Sequence, residues 1–397
     1  MVQPAPILVV GDAVASTGFA RVTEAVLRRL HPRYEIHQLG INYFGDPHDA
    51  PWPIYRAGLR GDAYGINRLQ ELIDRCRPRL VLLVEDIWFL ARYVPILTAN
   101  PQLRSIAYLP IDGAPVEPSI AAQLASLDQL VVYNRFGAAT LEAALAAGPP
   151  LRRPLASIPH GVDRGVFRPL APDPAAARAE ARRRLLPDRP EFRDGFIVLN
   201  ANRNQPRKRI DITLQGFARF AAGKPDTVKL YLHMGVEDVG WNLMLLARRL
   251  GIEDRLILTG AGEGVPEEPP ERLNLIYNAC QVGLNTALGE GWGLVAFEHA
   301  ATGAVQIVPR HTACAELWDG AAEMLEPVFS VINERVLTDG HFVSERDVAA
   351  ALERLYRDPA LLAERSAAAF ANATRAEYDW DAIAARWDAL FQAVLAG

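Results

Sequence analysis

Cysteine is scarce in this chain. Three occur in 397 residues, Cys76, Cys280 and Cys314, an odd and scattered set. They lack the paired spacing of a zinc site and the even count of a disulfide framework, so a reducing, cytoplasmic setting is expected. Excess positive charge is also missing. A net charge of −5 argues against broad nucleic-acid binding, which shows a basic footprint. Arginines cluster locally at Arg152-Arg153 and Arg182-Arg183-Arg184, the second group inside 175–186, which reads as a helix with a solvated basic face. No apolar run is long enough to span a bilayer, and the N-terminus lacks the pattern of a signal peptide. Peripheral contact with a membrane surface stays open. Neither a His/Glu helical metal pair nor a Gly-x-Ser-x-Gly nucleophile turn occurs, so no metal or other cofactor is expected.

Half of the residues are hydrophobic and 22% are charged, ordinary globular usage over a length that suits two domains. Short apolar runs alternate with helical spacing from the start. Ile7–Val10 reads as a strand, followed by a small-residue loop ending at Gly18 and a helix from Phe19. Further strands are expected at 34–39, 80–84, 105–108 and 130–132, with helices at 67–76, 87–97, 119–127 and 136–146. This alternation predicts a parallel sheet covered on both faces. The stretch 171–194 is rich in proline, alanine and charge, shows no strand, and reads as a connection. A second alternation follows, with strands at 196–199, 228–233, 255–258, 282–284 and 305–308; from Glu345 the chain reads as helical.

Two stretches carry the chemistry. Leu284–Leu294 holds a Gly-rich turn, Gly289-Glu290-Gly291-Trp292-Gly293, leading into a helix that bears Glu298 eight residues past Glu290. One carboxylate at a strand end, helix N–H groups and a second carboxylate suit a phosphate beside sugar hydroxyls. Glutamates near a helix start also serve as caps, so the spacing alone is weak. The loop 202–209 places Arg203, Arg207, Lys208 and Arg209 within seven residues, at the end of the first strand of the second half. Guanidinium groups and an ammonium there would hold a diphosphate, with a solvated basic loop as the alternative. The glycines of 260–264 resemble a dinucleotide pattern, but Pro266, Pro269 and Pro270 stand where its helix would start. Asp379-Trp380-Asp381 has a metal-binding form, yet it adjoins an apolar stripe of Trp380, Ile383, Trp387 and Phe391, which favours capping and packing.

Taken in order, these residues resemble a retaining glycosyltransferase of the GT-B fold, family 4. The matches are the loop ending at Gly18, Ile158-Pro159-His160-Gly161-Val162-Asp163, Arg203 with Lys208, the Glu290/Glu298 pair, and a tryptophan-bearing last helix. The resemblance implies an α/β architecture of two Rossmann-like parallel-sheet domains facing a central cleft. Residues 1–170 would form an acceptor-side domain, 171–194 a linker and 195–375 a donor domain, with 376–397 crossing back to the first. It implies that Arg203 and Lys208 bind a donor diphosphate and that Glu298 accepts from ribose hydroxyls. Glu290 and the amides of Gly291, Trp292, Gly293 and Leu294 would hold the donor sugar or the diphosphate, and the base would lie near Gly260. Gly18 would let the first loop reach the phosphate. The family often carries a histidine where Asp112 stands here, a departure that bears on the sugar contacts, so Asp112 joins Glu290, Arg203 and Lys208 as a candidate catalytic residue. Asp86, Trp88 and His160 are candidates for the acceptor or sugar side. The partners implied are a nucleotide-diphosphate sugar and a hydroxyl acceptor, whether glycan, lipid-linked or small molecule, without a bound metal. A nucleotide-sugar epimerase or phosphorylase on the same fold, and a non-catalytic binding homologue, are the competing readings.

Overall fold

Strands built from consecutive apolar residues need cover on both faces, and the computed structural model supplies it twice. It describes residues 4–59, 61–260, 262 and 266–397. The chain divides into two units, Met1–Gly161 with Glu334–Thr338 and Glu377–Gly397, and Val162–Asn333 with Asp339–Ala376.

The first unit contains strands β1 (Ala5–Asp12), β2 (Tyr34–Ile41), β3 (Ile54–Arg56), β4 (Leu80–Val84), β5 (Arg104–Leu109), β6 (Gln129–Val132) and β7 (Ala156–Ser157). They form one parallel sheet in the order β3-β2-β1-β4-β5-β6-β7. Every residue of β4 is buried, as a strand covered on both sides must be. Helices α1 (Gly18–Leu30), α2 (Ile66–Cys76), α3 (Ile87–Leu90), α4 (Val94–Thr98), α5 (Pro118–Leu124) and α6 (Arg135–Leu145) cover it. The single helix expected over 87–97 is instead α3, a 3-10 turn and α4, with Pro95 lacking the N–H that a continuous helix would use.

The second unit repeats the plan. Its strands are β8 (Phe196–Asn200), β9 (Val228–Leu232), β10 (Leu256–Leu258), β11 (Val282–Leu284), β12 (Val305–Pro309) and β13 (Glu323–Leu325), parallel in the order β10-β9-β8-β11-β12-β13. A separate antiparallel hairpin joins β14 (Pro327–Ile332) to β15 (Asp339–Val343). Its helices are α7 (Pro174–Leu185), α8 (Ile210–Ala221), α9 (Leu243–Leu250), α10 (Pro270–Ala279), α11 (Leu294–Ala300), α12 (Thr312–Leu317), α13 (Glu345–Arg357) and α14 (Pro359–Ala373).

Two expectations are corrected here. The stretch 171–194 is not a bare connection: α7 buries Ala177, Ala181 and Leu185, one helical face, within the second unit. Nor is Arg182 on a solvated face. It is 2% exposed, and its guanidinium donates to Ala279 O, Phe192 O, Arg193 O, Gly195 O and Gln281 Oε1. Five acceptors arrayed around one guanidinium make its burial tolerable; Arg183 and Arg184 remain exposed.

The last helix, α15 (Trp380–Ala396), belongs to the first unit. Trp387 meets Tyr108 edge-on at 4.9 Å and Phe391 meets Tyr34 at 5.5 Å. The Asp379 side chain caps this helix, accepting from Asp381 N–H at 2.8 Å. Gly161 explains why the chain has no side chain beneath that helix: a Cβ there would lie 2.6 Å from the Trp380 ring. No helix among the described residues is long and apolar enough to cross a membrane.

Candidate functional site

Strand order in the second sheet runs outward in both directions from the pair β8–β11. Ligands of open parallel sheets bind beyond the strand C-termini at such a reversal. The loops leaving these two strands are 201–209 and 285–293, the two stretches singled out by their chemistry.

Backbone and side-chain bonds tie the loops together. Leu288 N–H donates to Arg207 O at 2.8 Å, and Arg207 Nη1 donates to Gly289 O at 2.6 Å. The Thr286 hydroxyl lies 3.1 Å from Lys208 O and 2.9 Å from Arg209 O. Arg209 and Thr312 adopt φ of 50° and 47°, a left-handed conformation uncommon for residues with a β-carbon. At Arg209 this turn ends a 3-10 segment, Pro206–Lys208, and starts α8. At Thr312 it presents a hydroxyl that accepts from Glu290 N–H at 3.0 Å, while Ala313 N–H donates to Glu290 O at 3.2 Å.

Lys208 and Glu290 meet inside this frame. Lys208 Nζ donates to Glu290 Oε1 at 2.5 Å, Asn285 Nδ2 donates to the same oxygen at 3.0 Å, and Arg207 Nη1 lies 3.7 Å from Oε2. Glu290 is only 5% exposed. Burial pushes its carboxyl up, but the charges of Lys208 and Arg207, with the bonds from Lys208 and Asn285, outweigh that and hold it below the ordinary value. The group is a carboxylate at neutral pH. It stands among cations, a fixed field suited to negative charge on a bound ligand.

Arg203 does not join that pair. Its exposed guanidinium makes two parallel bonds to Asp238, at 2.7 and 3.0 Å, and these hold Asp238 below the usual carboxylate range. The neighbouring Asn204, fully buried, fixes the loop through Gly235 O, Trp241 O and Trp241 N–H. Glu298 is buried in α11, accepting from the Tyr277 hydroxyl at 3.1 Å. Gly293 takes φ +87° just before α11, Leu294 opens the helix, and Gly291 and Trp292 are buried, Trp292 stacked on Phe297 at 4.9 Å. Gly260 is exposed after β10; Ala261, Glu263 and Gly264 of the glycine pattern lie outside the described residues.

The remaining candidates sit in the first unit. Gly18 is exposed and opens α1, with the side chain of Thr17 capping the helix by accepting from Ala20 N–H. Asp86 and Trp88, after β4, and Asp112, after β5, are half-buried. His160 is buried, with Nδ1 2.9 Å from the Tyr108 hydroxyl, and burial lowers its pKa to about 3. Among the described residues, no three His, Cys, Asp or Glu side chains cluster as metal ligands would.

Sequence reasoning missed Asp238, Asn285, Thr312 and Tyr277. Asp238 reaches Arg203 because β9 pairs with β8, so the contact is made between loops of adjacent strands. The available signal was an acid in the loop after the next strand.

The architecture is that of GT-B glycosyltransferases. Sucrose-phosphate synthase from Thermosynechococcus elongatus superposes with a TM-score of 0.73 over 99% of this chain and 100% of its own, at 17% identity. The Anabaena protein HepE in complex with UDP and glucose superposes at 0.71 over 98% of this chain and 100% of its own, at 14% identity. At such identities what is shared is the fold. In sequence, residues 243–389 match the family described as glycosyl transferase-like. A D-inositol 3-phosphate glycosyltransferase from Acidothermus cellulolyticus is 32% identical over 233 residues, covering 56% of this chain and 44% of that protein. Its namesake from Segniliparus rotundus is 33% identical over 184 residues, 45% of this chain and 36% of its own length. The chain thus spans less than half the length of the curated relatives it matches.

Proposed function

We propose that this protein is a retaining glycosyltransferase of family 4 that moves a sugar from a nucleotide-diphosphate donor to a hydroxyl acceptor. The observation that carries the reading is the meeting of Lys208 and Glu290 at the reversal point of the second sheet, framed by Arg207 and Asn285. Cleavage of a sugar–phosphate bond builds positive character at the anomeric carbon and negative charge on the departing diphosphate. Arg203, held by Asp238, and Lys208 would take up that negative charge, more strongly in the transition state than before it. Glu290, an anion at neutral pH, would face the donor sugar. Glu298 would accept from ribose hydroxyls, with Tyr277 fixing its carboxylate. Attack from the leaving-group face gives retention. Because the neutralising charge comes from side chains, the reaction runs without a metal ion.

The names of similar proteins fit this reading: one solved neighbour was captured with UDP and glucose, and the curated relatives are named for D-inositol 3-phosphate. A sugar or cyclitol acceptor follows for this chain as part of the same proposal.

The test is thermal stabilisation by UDP, GDP, ADP and dTDP, followed by assay of the stabilising nucleotide's sugars. Native-state binding raises the melting temperature. Nucleotide release that depends on an added acceptor, with the anomeric configuration kept in the product, supports transfer. Acceptor-independent conversion to an epimer, or the absence of stabilisation by any of the four, rejects it.

A further inference from the structure

A carboxylate stands beside the arginine to which the diphosphate is assigned. Strand β9 pairs with β8 so that Leu232 lies against Asn200, and the loops leaving their C-terminal ends run side by side. Asn204 joins these loops: it is fully buried, donates to Gly235 O and Trp241 O, and accepts from Trp241 N–H at 3.0 Å. Their closeness requires Gly240, since a Cβ there would collide with Asn204 Oδ1 and lie 2.9 Å from the Asn204 backbone. Asp238 is carried by this clamped loop, two residues before that glycine.

The ion pair it forms is asymmetric. The Asp238 side chain is 6% exposed and that of Arg203 46%. Arg203 Nε donates to Oδ2 at 2.7 Å and Nη2 to Oδ1 at 3.0 Å, a fork that occupies one edge of the guanidinium. The other edge, Nη1 with the second N–H of Nη2, has the geometry to take two oxygens of a phosphate. Because the carboxylate is the buried partner, it backs the guanidinium, and a ligand arrives at the exposed partner. Holding a long, rotatable side chain in one geometry before the ligand binds lowers the ordering entropy lost on binding. Plain electrostatics argues the other way: an anion beside Arg203 cancels its charge and repels a diphosphate. At an exposed guanidinium, water and salt weaken that repulsion, while the orientation is kept.

We propose that Asp238 is a positioning residue for the donor diphosphate: it lowers the net charge at Arg203 but fixes its guanidinium, so that removing this anion weakens the binding of an anion. The inference rests on the transferase reading above and adds a residue that acts on the ligand through Arg203.

The experiment uses the full chain and begins with the nucleoside diphosphates. If none of UDP, GDP, ADP and dTDP binds, the transferase reading fails and takes this inference with it. With the nucleotide that binds, titration calorimetry at fixed ionic strength compares the wild type with Asp238→Ala, Asp238→Asn, Arg203→Ala and the double variant Arg203→Ala/Asp238→Ala. Asp238→Ala should weaken binding roughly tenfold, and Asp238→Asn should weaken it as well, since a carboxamide keeps one acceptor of the fork at most. Asn preserves the volume of the side chain, so it decides the matter if the alanine variant does not fold. In the Arg203→Ala background, Asp238→Ala should cause no further loss, the signature of a residue acting through Arg203; a loop merely disrupted by the substitution would weaken binding in both backgrounds. Unchanged or tighter binding in either folded Asp238 variant, or a further loss in the Arg203→Ala background, overturns the inference and leaves the transferase reading standing.

Discussion

Lys208 and Glu290 are 82 positions apart in sequence and 2.5 Å apart in space, each on the loop that leaves one of two adjacent parallel strands. The pair is an arranged charge. Asn285 shares the carboxylate oxygen that Lys208 holds, Arg207 approaches the other, and Thr312 fixes the Glu290 backbone from the start of α12. Replacing Lys208 by Ala removes the ammonium from a buried carboxylate that Arg207 approaches only to 3.7 Å. The variant should lose about 2.7–4 kcal/mol of transition-state stabilisation, a fall in kcat/KM of roughly 10²–10³. Arg203→Ala should act in the same direction. Steady-state kinetics of both variants with the preferred donor decide the matter, and unchanged kcat and KM in both would remove the phosphate role.

Metal independence has its own check. If Arg203, Arg207 and Lys208 supply the charge that neutralises the leaving diphosphate, transfer should proceed undiminished in EDTA. Loss of activity with chelator and its return with Mg²⁺ or Mn²⁺ would contradict this.

Much of both sheets was legible because their strands are apolar runs ending in loops with distinctive residues. The pattern 282–284 followed by Gly289–Gly293 marked β11 and its loop, and Arg203 with Lys208 marked the loop after β8. Other elements left no such trace. Strand β14 is exposed along its whole length and pairs with β15 in a hairpin separate from the two parallel sheets, so burial imposed no alternation on its residues. Helix α7 was legible over 175–186 but its buried face was not: an arginine satisfied by five acceptors reads in sequence like a solvated one. Asp238 was invisible for a third reason, since its bond to Arg203 depends on which strands are neighbours, a tertiary fact.

Two buried groups make stability depend on pH in opposite directions. Glu85 is pushed up from 4.5 to about 8 in the fold. Between those values the folded chain binds more protons than the unfolded one, so this group's contribution declines as pH rises through that window. Glu85→Gln should flatten the loss. His299 is held down from 6.5 to about 4 by burial. Here the unfolded chain binds more protons, so stability falls as pH drops from 6.5 towards 4, at up to about 1.4 kcal/mol per pH unit. Melting temperatures of the wild type and Glu85→Gln across pH 4.5 to 8.5 test the first. A Glu85→Gln profile parallel to wild type above pH 7 would show that Glu85 is ionised in the fold.

The last helix should be needed for the first unit to be stable, apart from any part in catalysis. Trp387 and Phe391 are each 1% exposed and Trp380 is 7% exposed. Trp387 packs on Tyr108, whose hydroxyl donates to Ile158 O, so the helix covers the strand ends near His160. Asp388 accepts from the Tyr34 hydroxyl at 2.7 Å and also pairs with Arg33, anchoring the helix to the start of β2. Burying each large side chain is worth ~1.5–3 kcal/mol, so truncation after Tyr378 forfeits several kcal/mol, a large share of a domain's net stability. Gly161→Ala is the finer probe. Its new methyl would meet the Trp380 ring at 2.6 Å and Tyr378 O at 2.9 Å, so backbone or helix must shift, at a cost of about 1–3 kcal/mol. Both variants should lower the melting temperature, the truncation more, whereas Gly223→Ala, whose added Cβ meets nothing within 4 Å, carries only the strain of a positive φ. Full stability in the truncated chain would mean that α15 packs on the first unit without supporting it.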